Sequence, residues 1–466
     1  MSKTNVAAKR GPVFTHEGAT AAHIHPERAL RRSIMACLLW EDTFYEDGVS
    51  IVDRLQLLVP SVKPEAVADM AIDARTKMKL RHAPLMLARI MARLPSHKHV
   101  VGALLPNIIQ RADEIAEFLA IYWKDKPNQP LSAQVKKGLA KAFHNFSEFD
   151  FAKYDRDGIV KLRDALFLSH AKPAGGTAGR NKEWRRQTTI TLGQEAVAEA
   201  QSSLGERLWR KIIDRTLTVP DTWEVALSKG ADKKETFTRL MQEGKLGALA
   251  FLRNLRNMEK AGVDSALVGE YAGKVKLDRV LPFRFVAAAR AVPSWEPMIE
   301  RMMMRALLTA EKLPGNTTLV VDNSGSMRDR LSNKSDMTRF DAAAALAILL
   351  REICEDCAVI GFGTHAQAIP PRRGFALRDA IHAGPGGGTN TDEAVKLANG
   401  RNYDRIIVLT DEQSHTNIPP PLAGSLAYFV NVATYKNGIG YGPWTHIDGW
   451  SEAIIEYIRA SESAAR

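Results

Sequence analysis

Residues 317–327 read Thr-Thr-Leu-Val-Val-Asp-Asn-Ser-Gly-Ser-Met, and the fold of the C-terminal third turns on them. Leu319, Val320 and Val321 form a short apolar, largely β-branched run, which suits a strand buried on both faces of a parallel sheet. The run stops at Asp322. Ser324, Gly325 and Ser326 follow, giving small oxygen-bearing side chains and a glycine where the backbone must turn. One carboxylate and two hydroxyls at alternate positions can converge on a hard divalent cation, which takes oxygen ligands. The same turn can also simply cap a helix. Two later stretches decide between these. Gly386, Gly387 and Gly388 lead to Thr389 ahead of a helical pattern, and the apolar run Ile406, Ile407, Val408, Leu409 delivers Asp411. Ligands of open α/β sheets bind at the carboxyl ends of strands, so Asp322, Ser324, Ser326, Thr389 and Asp411 are expected to meet on one edge.

At 466 residues the chain exceeds what one core serves, so two or more domains are expected. No apolar run approaches a bilayer span, and residues 1–11 lack a signal-peptide core, so no membrane partner is expected. Cys37, Cys354 and Cys357 cannot form a disulfide framework, which points to a reducing, cytoplasmic setting. Cys354-x-x-Cys357 closes a helical pattern with no second pair elsewhere and reads as buried thiols rather than a redox or metal motif. The net charge of +11 is segregated: residues 316–466 carry 14 Lys+Arg against 17 Asp+Glu, and the first 315 residues carry 50 against 36. An acidic partner should therefore meet the N-terminal two-thirds.

Residues 1–25 read as a basic arm without period. From 26 to 313, apolar residues recur at three- and four-residue spacing over 28–40, 49–59, 64–80, 84–94, 108–123, 131–146, 159–169, 206–217, 235–241, 246–258 and 294–312. Prolines punctuate these segments at their ends. Such a succession predicts an all-α solenoid of HEAT type, with an irregular helical domain as the alternative. Residues 174–180 form a glycine-rich break, and Pro314-Gly315 marks the boundary to a second domain at 316–466. There the pattern alternates: helices at 339–354, 377–382, 391–399 and 451–459, and strands at 358–362, 405–410 and 426–432. This is the rhythm of a doubly wound α/β sheet.

The basic region has one concentrated stretch: Lys153, Tyr154, Arg156, Lys161 and Arg163, then Leu-Ser-His-Ala-Lys-Pro at 168–173. Ile159, Leu162 and Leu166 at helical spacing turn Lys161 and Arg163 outward. Phosphate oxygens need donors and positive charge, and the imidazole of His170 adds a hydrogen bond or a stack on a base. Arg180, Lys182, Arg185 and Arg186 surround Trp184, and cations among aromatics suit single-stranded nucleic acid. A solvated charged face and a core tryptophan are the plainer alternatives. Gly361-Phe362-Gly363 lacks the third glycine of a dinucleotide motif.

The set Asp322, Ser324, Ser326, Thr389 and Asp411 resembles the metal-ion-dependent adhesion site of von Willebrand factor A domains. A basic helical array followed by such a domain is similar to the Ro autoantigen family, whose helical part is the TROVE module. Three segments carry the resemblance. They are 153–173 closing on Leu-Ser-His-x-Lys-Pro, Leu249-x-x-Leu252-Arg253-Asn254-Leu255-x-x-Met258, and Val320-x-Asp322-x-Ser324-x-Ser326-Met327. The resemblance implies a ring of HEAT-like helices closed by the adhesion domain. It also implies small structured Y RNAs on the outer surface and single-stranded ends of misfolded RNAs in a basic hole. RNA contact falls to Lys153, Arg156, His170 and Lys172. A divalent cation, most simply Mg²⁺, would be held by Asp322 and Asp411 with the three hydroxyls. The expected protein is a cytoplasmic, monomeric, non-catalytic ribonucleoprotein component in RNA stability and quality control, open to an exoribonuclease or another protein at the metal site. The competing function is an adhesion or chelatase-like subunit whose metal captures an acidic side chain of a partner. A phosphatase fits less well, because Ser324 stands where a general-acid carboxylate would be needed.

Overall fold

The computed structural model describes residues 13–14, 20–21, 25–35, 48–77, 80–127, 129–155, 158–173, 207–277, 280, 282–308, 310–331, 336–433, 443–448, 454–455, 458–459 and 462. Two compact units emerge: Met1–Leu58 with Ala231–Arg466, and Val59–Gly230.

In the first unit, β1 (Val13–Phe14) pairs with β2 (Thr20–Ala21) as a short antiparallel ladder. The main sheet has six strands: β3 (Leu313–Asp322), β4 (Cys354–Phe362), β5 (Ala366–Ile369), β6 (Arg405–Thr410), β7 (Leu426–Asn431) and β8 (Thr445–Asp448). Their order is β5-β4-β3-β6-β7-β8, and only the β4–β5 pair is antiparallel. From β3 the chain winds to one side through β4 and β5, then returns to the other side as β6. The loops leaving β3 and β6 therefore diverge, and this switch point opens a crevice at their carboxyl ends.

Strand periodicity explains the layers. Val320, Ile360, Phe362, Val408 and Phe429 share one face and pack on Ala394, Val395 and Ala398 of helix Thr391–Asn399. Leu319, Val321, Ile407 and Leu409 fall on the other face and are fully buried. Helix Arg339–Ile353 packs on β3, β4 and β6 and is buried almost all round, because helices Pro282–Ala291 and Gly374–His382 cover it in turn. Its start is fixed by a capping box in which Thr338 Oγ1 accepts from Asp341 N at 3.1 Å. Helix Glu296–Leu307 also joins this layer: Glu300 Oε1 accepts from Phe375 N at 2.7 Å, and Arg378 pairs with Glu296 at 3.1 Å. Pro314 and Gly315, expected to separate two domains, lie inside β3 at a register shift, with Gly315 at φ +84°. In the main sheet β5 and β8 carry no strong pattern and were not expected, nor was the β1–β2 ladder within residues read as an arm. The closing helix at 451–459 lies largely outside the described residues, and Cys354 and Cys357 are buried free thiols.

The second unit is helical: Pro64–Thr76, His82–Arg93, Val101–Ile108, Asp113–Trp123, Ala133–Ala142, Glu148–Tyr154, Leu162–Ser169, residues 207–214 and Trp223–Ser228. Its one deeply buried ion pair joins Arg75 to Glu114 at 2.6 Å among the described residues. Glu114 Oε2 also accepts from Gln110 N and Arg111 N, so the carboxylate serves the amides ahead of its helix. Pro106, expected between helices, sits within Val101–Ile108, and the helix expected from 108 begins only at Asp113. Glu148–Tyr154 was missed although Ser147 and Asp150 form a capping box. No described helix is long and apolar enough to cross a membrane.

Candidate metal centre and nucleic-acid surface

All five residues expected at the sheet edge lie at the carboxyl ends of β3 and β6 or on the loop before helix Thr391–Asn399. Asp322, Ser324 and Asp411 are fully buried, Thr389 nearly so, and Ser326 is half-buried. Asp322 Oδ1 accepts from Ser324 N at 2.8 Å, and its Oδ2 accepts from Thr410 Oγ1 at 2.6 Å. The two serine hydroxyls stand 3.3 Å apart. Asp411 Oδ1 accepts from Gln413 N at 3.3 Å. Burial, and then the charge of Asp411, push the Asp322 carboxyl up to about 7. Two buried carboxylates with three hydroxyl oxygens form a donor set suited to a hard divalent cation. Among the described residues no group of three or more His, Cys, Asp or Glu is placed to hold a metal ion, so neutral oxygens would have to complete any coordination here.

The loops that carry these residues are tied together. Asn323 Nδ2 donates to carbonyls of the 381–385 segment, at 3.2 Å to Ile381, His382 and Pro385, and Asn323 N donates to Phe362 O at 2.8 Å. Gly325 N donates to Gly387 O at 2.7 Å, and Gly387 has φ +88°. A Cβ on Gly363 would come within 2.6 Å of Pro385 O and 2.7 Å of Gly386 O. Glycine is therefore required here by close backbone approach, which accounts for the Gly-Phe-Gly sequence. Gly363→Ala is expected to cost about 2–3 kcal/mol by overpacking and to displace the loop bearing Thr389. Urea denaturation measures this, and an unchanged midpoint would refute the tight approach. The sequence missed Thr410, Asn323 and Arg339, whose Nη1 lies 3.3 Å from Asp411 Oδ2.

In the Val59–Gly230 unit the expected basic residues divide. His170 ends helix Leu162–Ser169 in the left-handed conformation (φ 54°) and is exposed, as is Lys172. The Lys136 Nζ stands 3.4 Å from His170 Nε2. Lys136 comes from the basic helix Ala133–Ala142 and was not singled out. Trp209 fixes this turn: its indole N–H donates to Ala171 O at 3.0 Å while its ring packs on Phe143, His144 and Phe151. Trp123, Phe167 and Leu168 line an open groove of ≈ 630 Å³ with Lys136 and His170, and Phe167 is 57% exposed. Lys153 and Arg163 are instead half-buried beside acids, Glu224 at 4.0 Å and Asp164 at 3.7 Å. Lys161, expected to point outward along a helix from 159, is half-buried at the N-cap, because the helix begins at Leu162. Arg156, Arg185 and Arg186 lie outside the described residues.

Comparison with known proteins agrees with this arrangement. Residues 200–307 match the model of the TROVE domain. The chain is 31% identical over 405 residues to telomerase protein component 1 of Mus musculus, covering 70% of this chain and 15% of that protein. Against telomerase protein component 1 of Rattus norvegicus it is 23% identical over 333 residues, 58% of this chain and 12% of that one. The chain thus spans a small part of the length of these relatives. In fold it is similar to the Deinococcus radiodurans RO (RSR) protein, with a TM-score of 0.57 over 94% of this chain and 99% of that one, at 17% identity. The TROVE match at residues 200–307, these relatives and the fold shared with the RO protein together support the Ro/TROVE family for this chain.

Proposed function

We propose that the protein is a non-catalytic RNA-binding ring that holds small structured, Y-like RNAs and takes single-stranded ends of misfolded non-coding RNAs, acting in RNA stability and quality control. The observation that carries this reading is the Lys136–His170–Lys172 edge. Its cations sit beside exposed apolar side chains on a turn that Trp209 holds in place, the combination used for phosphates and unstacked bases. In this reading the helical part is a HEAT-like ring closed by a von Willebrand factor A domain. A monomeric, cytoplasmic protein suits this role. Filter binding of a small structured RNA at rising salt tests it. Affinity should fall log-linearly with salt, and Lys136→Ala with His170→Ala should weaken binding about ten-fold and flatten the slope by about one phosphate. Affinity indifferent to salt would sink the proposal.

A second reading rests on the buried Asp322–Asp411 pair. In it, the site is a metal-ion-dependent adhesion centre holding Mg²⁺ through Asp322, Ser324, Ser326, Thr389 and Asp411, and it binds an acidic group of a protein such as an exoribonuclease. A bound divalent ion would supply positive charge and an open position for a partner's oxygen. Co-purification with a protein that is lost on Asp322→Ala supports this. Retention of the same partner by that variant counts against it.

A further inference from the structure

Beside the two buried carboxylates lies a buried cation that the donor set does not require. Arg339, the first residue of helix Arg339–Ile353, is only 2% exposed. Its Nη1 donates to Ser326 O at 3.1 Å and to Asp411 Oδ2 at 3.3 Å, and Asp329 Oδ2 lies 3.9 Å away. One guanidinium thus touches the loop after β3 and the carboxylate after β6. It also has a second carboxylate within a short swing, since the Asp329 side chain is 41% exposed and its loop is tied to Arg339 N through Asp329 O at 3.0 Å.

An arginine stays charged at any working pH. The site without metal therefore holds two carboxylates and one guanidinium. A divalent ion drawn to Asp322 and Asp411 must share Asp411 with Arg339 or displace it toward Asp329. In a water-poor pocket, the repulsion between a divalent ion and a guanidinium sharing one carboxylate is large compared with thermal energy. We propose that Arg339 is a built-in counter-cation of this centre: it holds Asp411 in the absence of metal and weakens divalent-ion binding by competing for that carboxylate. This rests on the metal reading of the site. It makes Arg339 a residue that sets the affinity, in addition to joining the two loops.

Equilibrium titration of Mn²⁺ into the full chain tests it, with wild type, Arg339→Gln, Arg339→Lys and Asp322→Asn compared by calorimetry. The glutamine variant removes the charge and keeps a donor, so it should bind Mn²⁺ about ten-fold more tightly or better. The lysine variant keeps the charge and should stay near wild type, and Asp322→Asn should lose binding. If wild type binds Mn²⁺ but Arg339→Gln, with a native melting profile, binds no more tightly, the counter-cation role is overturned and the metal reading survives. A wild type that binds no Mn²⁺ overturns both. Should the glutamine variant fail to fold, Mg²⁺ titration of wild-type protein labelled with ¹⁵N-arginine decides. The Arg339 side-chain resonance should shift with occupancy, and a resonance that does not move refutes competition.

Discussion

Asp322→Asn should make the metal-free protein more stable at pH 8 while abolishing its response to divalent ions. Asp322 is fully buried, and burial together with Asp411 raises its carboxyl from 3.8 to about 7. A raised carboxyl favours the protonated form in the folded state. Below about pH 4 both folded and unfolded chains are protonated there and nothing is lost. Between about pH 4 and pH 7 the unfolded chain has given up this proton while the folded chain keeps it, so stability falls across that window and levels off once the folded group has ionised too. At 1.36 kcal/mol per pH unit, the interval between these two values amounts to about 4 kcal/mol as an upper bound. Asparagine imitates the protonated acid and should recover a good part of that. Mg²⁺ favours the ionised form and should restore wild-type stability at pH 8, but it has nothing to act on in the variant. Urea melts of both proteins at pH 5 and pH 8, with chelator or with Mg²⁺, give the four numbers needed for each. A metal-free wild type equally stable at both pH values would show that Asp322 is not held as described.

The second large effect lies at the opposite end of the same strands. Arg405, at the start of β6, is 2% exposed and forks onto the buried Glu462 carboxylate. The same guanidinium donates to Thr317 Oγ1 at 2.8 Å and to Pro314 O at 3.3 Å. It thereby ties the irregular start of β3 to the C-terminal segment. Arg405→Met should destabilise the protein by about 3–5 kcal/mol, because Glu462 is left buried without its counter-charge. Arg405→Met combined with Glu462→Leu should recover most of the loss, since two apolar side chains leave no buried charge. A double variant as unstable as the single one would assign the cost to packing and to the Thr317 and Pro314 bonds instead.

The parts of this molecule legible in its sequence are those that depend on neighbours along the chain. The runs at 319–321 and 406–409 are apolar throughout because both sheet faces are covered; the first ends at Asp322 and the second leads through Thr410 to Asp411, so the edge that collects the two acids followed from pattern alone. Helix Thr391–Asn399 was placed to the residue. What escaped depends on distant partners. β5 is an edge strand with two exposed residues, and β8 is four residues long, so neither presents a periodic signal. Helix Ser265–Lys274 carries two glycines, which dilute its pattern. A basic residue at a helix start, as Arg339 is, reads as solvent-facing until the fold places Asp411 against it. Lys136 gained meaning only when the fold brought its helix to His170. Conversely, Lys153 reads as a free cation because Glu224 cannot be seen beside it in a linear pattern, whereas Asp164, next to Arg163 in the chain, was legible and passed over.

The winding of the sheet sets an order of assembly. β3 lies between β4 and β6, so its second row of hydrogen bonds waits for residues made some 80 positions later. The wait is longer for helix Pro26–Met35, which packs against β8, roughly 400 residues downstream. During synthesis on the ribosome this amphipathic helix can pack early against helix Gly48–Leu58, while the side that meets β8 stays uncovered until β8 is made. A product that stalls before β8 is made would carry that contact face of helix Pro26–Met35 uncovered, a sticky stretch for chaperones to shield.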